Sequence, residues 1–290
     1  MLIEHLSIIG VGLIGGSLAR ALRQAKLVGR VTGCNRNEET LKQAMDLNVI
    51  DDYSMDVAEA VRYADVVVVG TPLSTSVSLL PKIAEAMSNR TILTDVGSAK
   101  GSIVDAARNI LGKRINQFVP GHPIAGTEQS GVGASFAELF VKHRVILTPL
   151  PENNDAAIRL ITEMWQAVGA DVINLEVKHH DDVLAATSHL PHMLAYALVD
   201  CLAGMEEREE VFKYAAGGFA DFTRIASSSP EMWHDICLSN QASLLESVKL
   251  FSEHLQTLQN AIEQKDSVAI LKIFQRAKQA RDKFAHKKLV

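Results

Sequence analysis

The sequence predicts an α/β domain built on a mostly parallel sheet, followed by an all-α domain. Through the first half of the 290 residues, short β-branched runs alternate with amphipathic stretches, the pattern of strands joined by crossover helices. One run, "ADVVVVGTP", is apolar at consecutive positions, as a strand covered on both faces must be. After about Glu176 strand-like runs vanish and helical spacing takes over, which puts the expected domains at 1–176 and 177–290.

Strands are expected at Leu6 to Ile9, Val31 to Cys34, Asp65 to Val69, Thr91 to Asp95, Gln117 to Val119 and Arg144 to Thr148. In the next unit Ile158, Ile161, Met164, Trp165 and Val168 fall at helical spacing before a strand at Val172 to Leu175, so Trp165 reads as core. In "ATSHLPHMLAYAL" Pro191 removes a backbone donor from a helix, and a bend near Thr187 is expected. Leu244, Val248, Phe251, Leu255, Leu258 and Ile262 step by four and three, a stripe that packs against another helix. Such a stripe in an all-helical half makes a homodimer the expected assembly. The basic tail from Lys272 onward reads as a solvated helix face, with a linker to a further domain as the alternative.

A hydrophobic content of 47% with mean hydropathy near zero describes an ordinary globular chain. The net charge of −5 offers no general field for nucleic acid or anionic membrane, so an anionic ligand needs a local device. Cys34, Cys201 and Cys237 are odd in number and far apart, which argues against disulfides or a zinc site and fits a reducing cytoplasm. "MLIEHLSIIG" lacks the basic start of a signal peptide, and the best apolar run, Val66 to Leu80, is broken by Gly70 and Pro72. Neither nucleic acid nor membrane is an expected partner.

"LSIIGVGLIGGSLARAL" carries Gly10, Gly12 and Gly15 in G-x-G-x-x-G spacing, after a strand and at the head of a helix. The first glycine permits the turn, the second lets a pyrophosphate approach, and the third lets helix and strand pack closely. Free N–H groups at the helix start hold the phosphates without a basic side chain. This is the fingerprint of a Rossmann-type dinucleotide domain, with Leu13 and Ile14 in the turn and Thr71 and Pro72 after the next strand expected beside the cofactor. The second strand ends in "GCNRNEE": Asn35 stands where an acidic residue would bind the ribose hydroxyls of NAD, and Arg36 follows. With no repelling carboxylate and a guanidinium at hand, NADP is favoured, and NAD remains possible.

"GHPIAGTEQSG" places His122 just past a strand, on the ligand-binding side of the sheet, in a stretch whose Gly and Pro predict neither helix nor regular strand. A nicotinamide enzyme that oxidises an alcohol needs a group to take the hydroxyl proton, and an imidazole titrating near working pH does so. His189 and His192 lie one turn apart, yet no third ligand stands at a convincing spacing, so no metal is expected.

"GVGLIGGSLA", "DVGSAKG", "GHPIAGTEQSG", "SHLPH" and "GGFADFTRIASSSPEMW" occur in that order, and together they resemble the prephenate and arogenate (cyclohexadienyl) dehydrogenases of tyrosine biosynthesis over essentially the whole chain. The resemblance implies oxidative decarboxylation: hydride passes from the ring carbon bearing the 4-hydroxyl to the nicotinamide, and the ring carboxylate leaves as carbon dioxide. Prephenate then gives 4-hydroxyphenylpyruvate and arogenate gives tyrosine. By position His122 is the implied base, and Ser98 assists at the hydroxyl, with an N-cap role as its alternative. Glu128 matches a glutamate near the substrate's entry, and Arg224 matches the arginine that binds a substrate carboxylate through its planar fork. Asp221 is expected to orient Arg224 or a neighbouring chain. Trp233, Gly217 and Gly218 are expected to shape the pocket wall, and a histidine of "SHLPH", His189 before His192, to contact the substrate's side chain. The rival readings are another two-domain NADP oxidoreductase of the β-hydroxyacid dehydrogenase type and a non-catalytic dinucleotide sensor.

Overall fold

The computed structural model describes residues 1–127, 129–206 and 208–287. They form two compact units, Met1–Gln241 and Ala242–Val290.

The first unit opens with β1 (Ile3–Ile9), α1 (Leu13–Gln24), β2 (Val28–Cys34), α2 (Glu38–Asp46), β3 (Asp52–Ser54), α3 (Val57–Val61), β4 (Val66–Val69), α4 (Leu73–Ala86), β5 (Ile92–Asp95), α5 (Gly101–Leu111) and β6 (Phe118–Val119). The six strands lie in the order β3-β2-β1-β4-β5-β6, every pair parallel. The order reverses between β1 and β4, and ligands of such sheets bind in the crevice beyond the strand ends at that point. In β4 the four valines are fully buried: Val66 and Val68 belong to one apolar cluster, Val67 and Val69 to the other. The consecutive apolar run therefore serves both faces of a central strand, as its sequence predicts. Trp165 is fully buried against Phe140, with ring centroids 5.0 Å apart, and is core.

Two strands escape the sequence reading. Asp52–Ser54 adds an edge strand, and Gly121–Pro123 forms β7, antiparallel to β8 (Arg144–Leu147), which runs parallel to β9 (Asp171–Asn174) beyond α6 (Asp155–Ala167). His122 thus sits in a strand, paired with Ile146, and not in an irregular loop. The short ladder fixes its backbone where Gly and Pro alone suggest a free turn.

Helices complete the unit: α7 (Val177–Leu184), α8 (Leu190–Ala203), α9 (Arg208–Lys213), α10 (Gly217–Thr223) and α11 (Pro230–Ser239). Between α7 and α8, Ala185–His189 form a π-helical turn. The irregularity expected near Thr187 is a π-turn, and Pro191 follows it in the first turn of α8. The second unit contains α12 (Gln241–Glu263, whose first residue closes the first unit) and α13 (Ser267–Lys287). No described helix is long and apolar enough to cross a membrane.

Candidate active site

The glycine loop divides its labour in space. Gly10 has a φ of +93°, and a Cβ there would lie 2.7 Å from the carbonyl of Gly70, so the β1 and β4 ends approach as only glycine allows. A Cβ on Gly15 would meet Ile8 at 2.7 Å, which is helix packing on strand. At Gly12 a Cβ would meet nothing within 4 Å. The space beside Gly12 is open for a ligand, and a pyrophosphate at the start of α1 fits it.

Gly12, Thr71 and Pro72 are shared by two cavities. One, of about 700 Å³, runs from Gly10 past Asn35 and Arg36 to Thr75, Leu79 and Lys82 on one face of α4. Asn35 Oδ1 accepts the Asn37 N–H at 3.2 Å, so this side chain folds back on its own backbone. The one carboxylate lining this cavity among the described residues is Asp56, whose Oδ1 accepts N–H groups of Ala58 and Glu59 at the start of α3. Lys82, absent from the sequence reading, adds a second cation to Arg36.

The other cavity, of about 450 Å³, brings Leu13 and Ile14 together with Gly97, Ser98, His122, Thr127 and the α11 residues Met232 and Asp235. Ser98 precedes a helix that starts at Gly101 with Lys100 in the capping position, so Ser98 is not the N-cap.

His122 ends a buried chain of polar groups. Its Nδ1 lies 2.9 Å from His180 Nε2, and His180 Nδ1 lies 2.8 Å from Asp181 Oδ1. Because a carboxylate only accepts, His180 carries its proton on Nδ1. Its Nε2 then accepts from His122 Nδ1–H, and Nε2 of His122 is left with a bare lone pair. Asp181 also accepts the backbone N–H groups of Lys100 and Gly101, both at 2.8 Å. Burial raises its pKa, but the hydrogen bonds from His180, Gly101 and Lys100 outweigh that and hold the carboxyl below its usual range. Burial first, then the neighbouring His180 and Lys100, drives His122 well below the ordinary imidazole value. Relative to an imidazole titrating near working pH, these surroundings favour the uncharged form of His122.

Beneath the chain, the fully buried Lys100 ammonium pairs with Asp95 and donates to the Gly121 carbonyl at 2.7 Å, next to His122. Asn240 donates to the Asp181 carbonyl at 2.8 Å and lies 3.2 Å from His189 Nδ1. His180, Asp181, Lys100, Asp95 and Asn240 all escape the sequence reading. The one available signal is the tandem "HHDD", which looks like solvated helix surface until the fold buries half of it.

His189 is 1% exposed and touches Trp233 edge-on, whereas His192 stacks on the Trp233 ring at a centroid distance of 3.7 Å. Arg224 lies close enough to His192 to depress its pKa, after burial. Arg224, Asp221, Gly217 and Gly218 are exposed on and after α10, and none lines the two cavities described. A Cβ on Gly217 or Gly218 would meet nothing within 4 Å. Glu128 lies outside the described residues. No group of three or more His, Cys, Asp or Glu among the described residues is placed to hold a metal.

The prephenate dehydrogenase nucleotide-binding domain profile matches residues 18–174, and the prephenate dehydrogenase dimerization domain profile matches residues 176–276. The chain is 38% identical over 280 residues to the cyclohexadienyl dehydrogenase of Zymomonas mobilis, covering 96% of this chain and 95% of that one. Its fold is similar to the Aquifex aeolicus prephenate dehydrogenase solved with hydroxyphenyl propionate and NAD+, with a TM-score of 0.90, 36% identity and coverage of 97% and 98%. It is also similar to the Synechocystis arogenate dehydrogenase, with a TM-score of 0.81, 27% identity and coverage of 97% and 100%.

Proposed function

The chain belongs to the prephenate dehydrogenase family, and on that premise we propose how its own residues divide the work of the family's reaction. It is an NAD(P)-dependent dehydrogenase that oxidatively decarboxylates prephenate or arogenate. Bound nicotinamide supplies the hydride acceptor. His122 takes the 4-hydroxyl proton on Nε2 as the ring carbon gives up hydride. The ring carboxylate leaves as carbon dioxide, its electron pair completes the aromatic ring, and the resulting phenolate oxygen takes its proton back from His122.

The observation that carries this assignment is the His122–His180–Asp181 chain, which leaves one bare nitrogen for the cavity shared with Gly12 and Ser98. A neutral base costs nothing to unmask, and the imidazolium formed in the step is stabilised through His180 by the Asp181 carboxylate. Ser98 hydrogen-bonds the same hydroxyl. Arg224, with His192 near it, takes the substrate's carboxylate; His192, stacked on Trp233 and less deeply buried than His189, takes the substrate's side chain. As the resemblance implies, Glu128 stands near the substrate's entry, Asp221 orients Arg224 or a neighbouring chain, and Gly217 shapes the pocket wall.

Replacing His122 by Asn should lower turnover by about 10² to 10⁴, the range for a lost general base, with dinucleotide affinity unchanged. Unimpaired turnover removes His122 from the mechanism.

NADP is the favoured cofactor, because Arg36 and Lys82 line the adenosine cavity while its carboxylate caps a helix. An Asn35→Asp variant should shift preference toward NAD. An unchanged cofactor ratio, measured with prephenate and with arogenate, counts against the preference for NADP. The dimerization-domain match and the apolar stripe support a homodimer, and the free cysteines fit a reducing cytoplasm.

A further inference from the structure

Among the described residues lining the cavity of His122 and Ser98, only His122 and Asp235 are titratable side chains. Burial and its neighbours keep His122 uncharged. Asp235, 8% exposed on α11, is therefore the one formal charge the described lining brings to this cavity, and its sign is negative. That is a poor match for a substrate carrying carboxylates. Its Oδ2 accepts the Ser74 N–H at 2.9 Å, in the first turn of α4. Its second oxygen makes no hydrogen bond to any described residue. The residues just before Ser74, Gly70 to Leu73, also line this cavity, and Gly70 to Pro72 line the other one as well.

We propose that Asp235 makes the enzyme discriminate between the two redox forms of its dinucleotide, by setting a carboxylate beside the cationic nicotinamide ring. This rests on the reading that the nicotinamide half of the dinucleotide enters this cavity while the adenosine half takes the other. The oxidised ring carries a positive charge and the reduced ring carries none. In a cavity of low polarity a carboxylate attracts the first and is indifferent to the second. Oxidised dinucleotide is thus drawn in, and the attraction vanishes when the ring gains hydride, so the reduced product is released more readily. A merely structural Asp235, acting as a cap on α4, would support both forms alike.

The test is equilibrium binding, without substrate, of the oxidised and reduced dinucleotides and of 2′-phospho-ADP-ribose, which lacks nicotinamide, to wild-type protein and to Asp235→Asn. The amide keeps an acceptor for Ser74 and loses the charge. The expected result is an oxidised form weakened about tenfold, with the reduced form and the phospho-ADP-ribose within about twofold, as loss of one charge pair near a surface-linked cavity predicts. An unchanged ratio of oxidised to reduced affinity, or equal weakening of both, overturns the proposal. So does a wild-type protein that binds the reduced form as tightly as the oxidised one, a readout independent of whether the variant folds. Failure of the wild type to bind any of the three ligands would instead strike at the cofactor reading beneath it.

Discussion

Lys100 shows how much one buried charge can hold. Its ammonium is 0% exposed, pairs with an Asp95 that is 1% exposed, and donates to the carbonyl of Gly121, while its backbone N–H holds Asp181. Burial depresses the ammonium pKa, and Asp95 pulls it back. Removing one partner of such a pair leaves the other charge buried and alone, so Lys100→Met should destabilise by about 3–5 kcal/mol, read by urea unfolding. A loss below about 1 kcal/mol would mean that water already reaches Asp95. His189 offers a second test at this scale. Burial foremost pushes it from 6.5 down to about 4. Below pH 6.5 the unfolded chain takes up a proton that the folded chain refuses, so the stability held above 6.5 is lost as pH falls toward 4. The loss from this group amounts to ~3 kcal/mol across that window, and His189→Asn should flatten it in unfolding curves taken at several pH values.

At the scale of elements, the glycine loop makes its own contrast. Gly10→Ala must force a Cβ to 2.7 Å from Gly70 at a φ of +93°, and should cost about 1–3 kcal/mol of stability. Gly12→Ala puts its methyl into open space, so its melting temperature should hold while dinucleotide affinity falls about tenfold through lost pyrophosphate approach. Equal loss of stability in both variants would refute the division of roles. This contrast also explains what the sequence makes legible. The glycine loop, the four valines of β4 and the end of β2 carry their meaning within a few consecutive residues, because a turn, a strand face and a helix start are local. The supports of His122 are not local. His122 meets His180 across 58 positions, and Asn240 meets Asp181 across 59. A helix N-terminus at Gly101 has to arrive beside α7 before Asp181 has donors to accept, and nothing in "HHDD" announces it. β7 is hidden for a related reason: Gly and Pro flanking His122 weaken a strand on their own, and only pairing with β8 makes one.

On the scale of the whole molecule, the open question is what covers the last two helices. On α12, Phe251, Leu255 and Ile262 are exposed, and so are Val268, Leu271 and Phe274 on α13. Large exposed apolar side chains recur along two helices of 23 and 21 residues, the kind of face that an assembly would cover. A second copy is the simplest cover, since an isologous pairing presents the same stripe from both sides. Light scattering should therefore give about twice the 31.6 kDa of one chain at micromolar concentration. The double variant Leu255→Glu with Phe274→Glu, which buries two charges at such an interface, should give the single-chain mass. A wild-type protein of single-chain mass overturns the dimer. The variant also separates two functions. Gly12, Asn35 and both cavities belong to Met1–Gln241, so dinucleotide affinity should survive in the monomer. If turnover survives with it, the first unit holds a complete site; if turnover falls while dinucleotide affinity stays, the second copy completes the substrate's end of the site, where Arg224 is exposed.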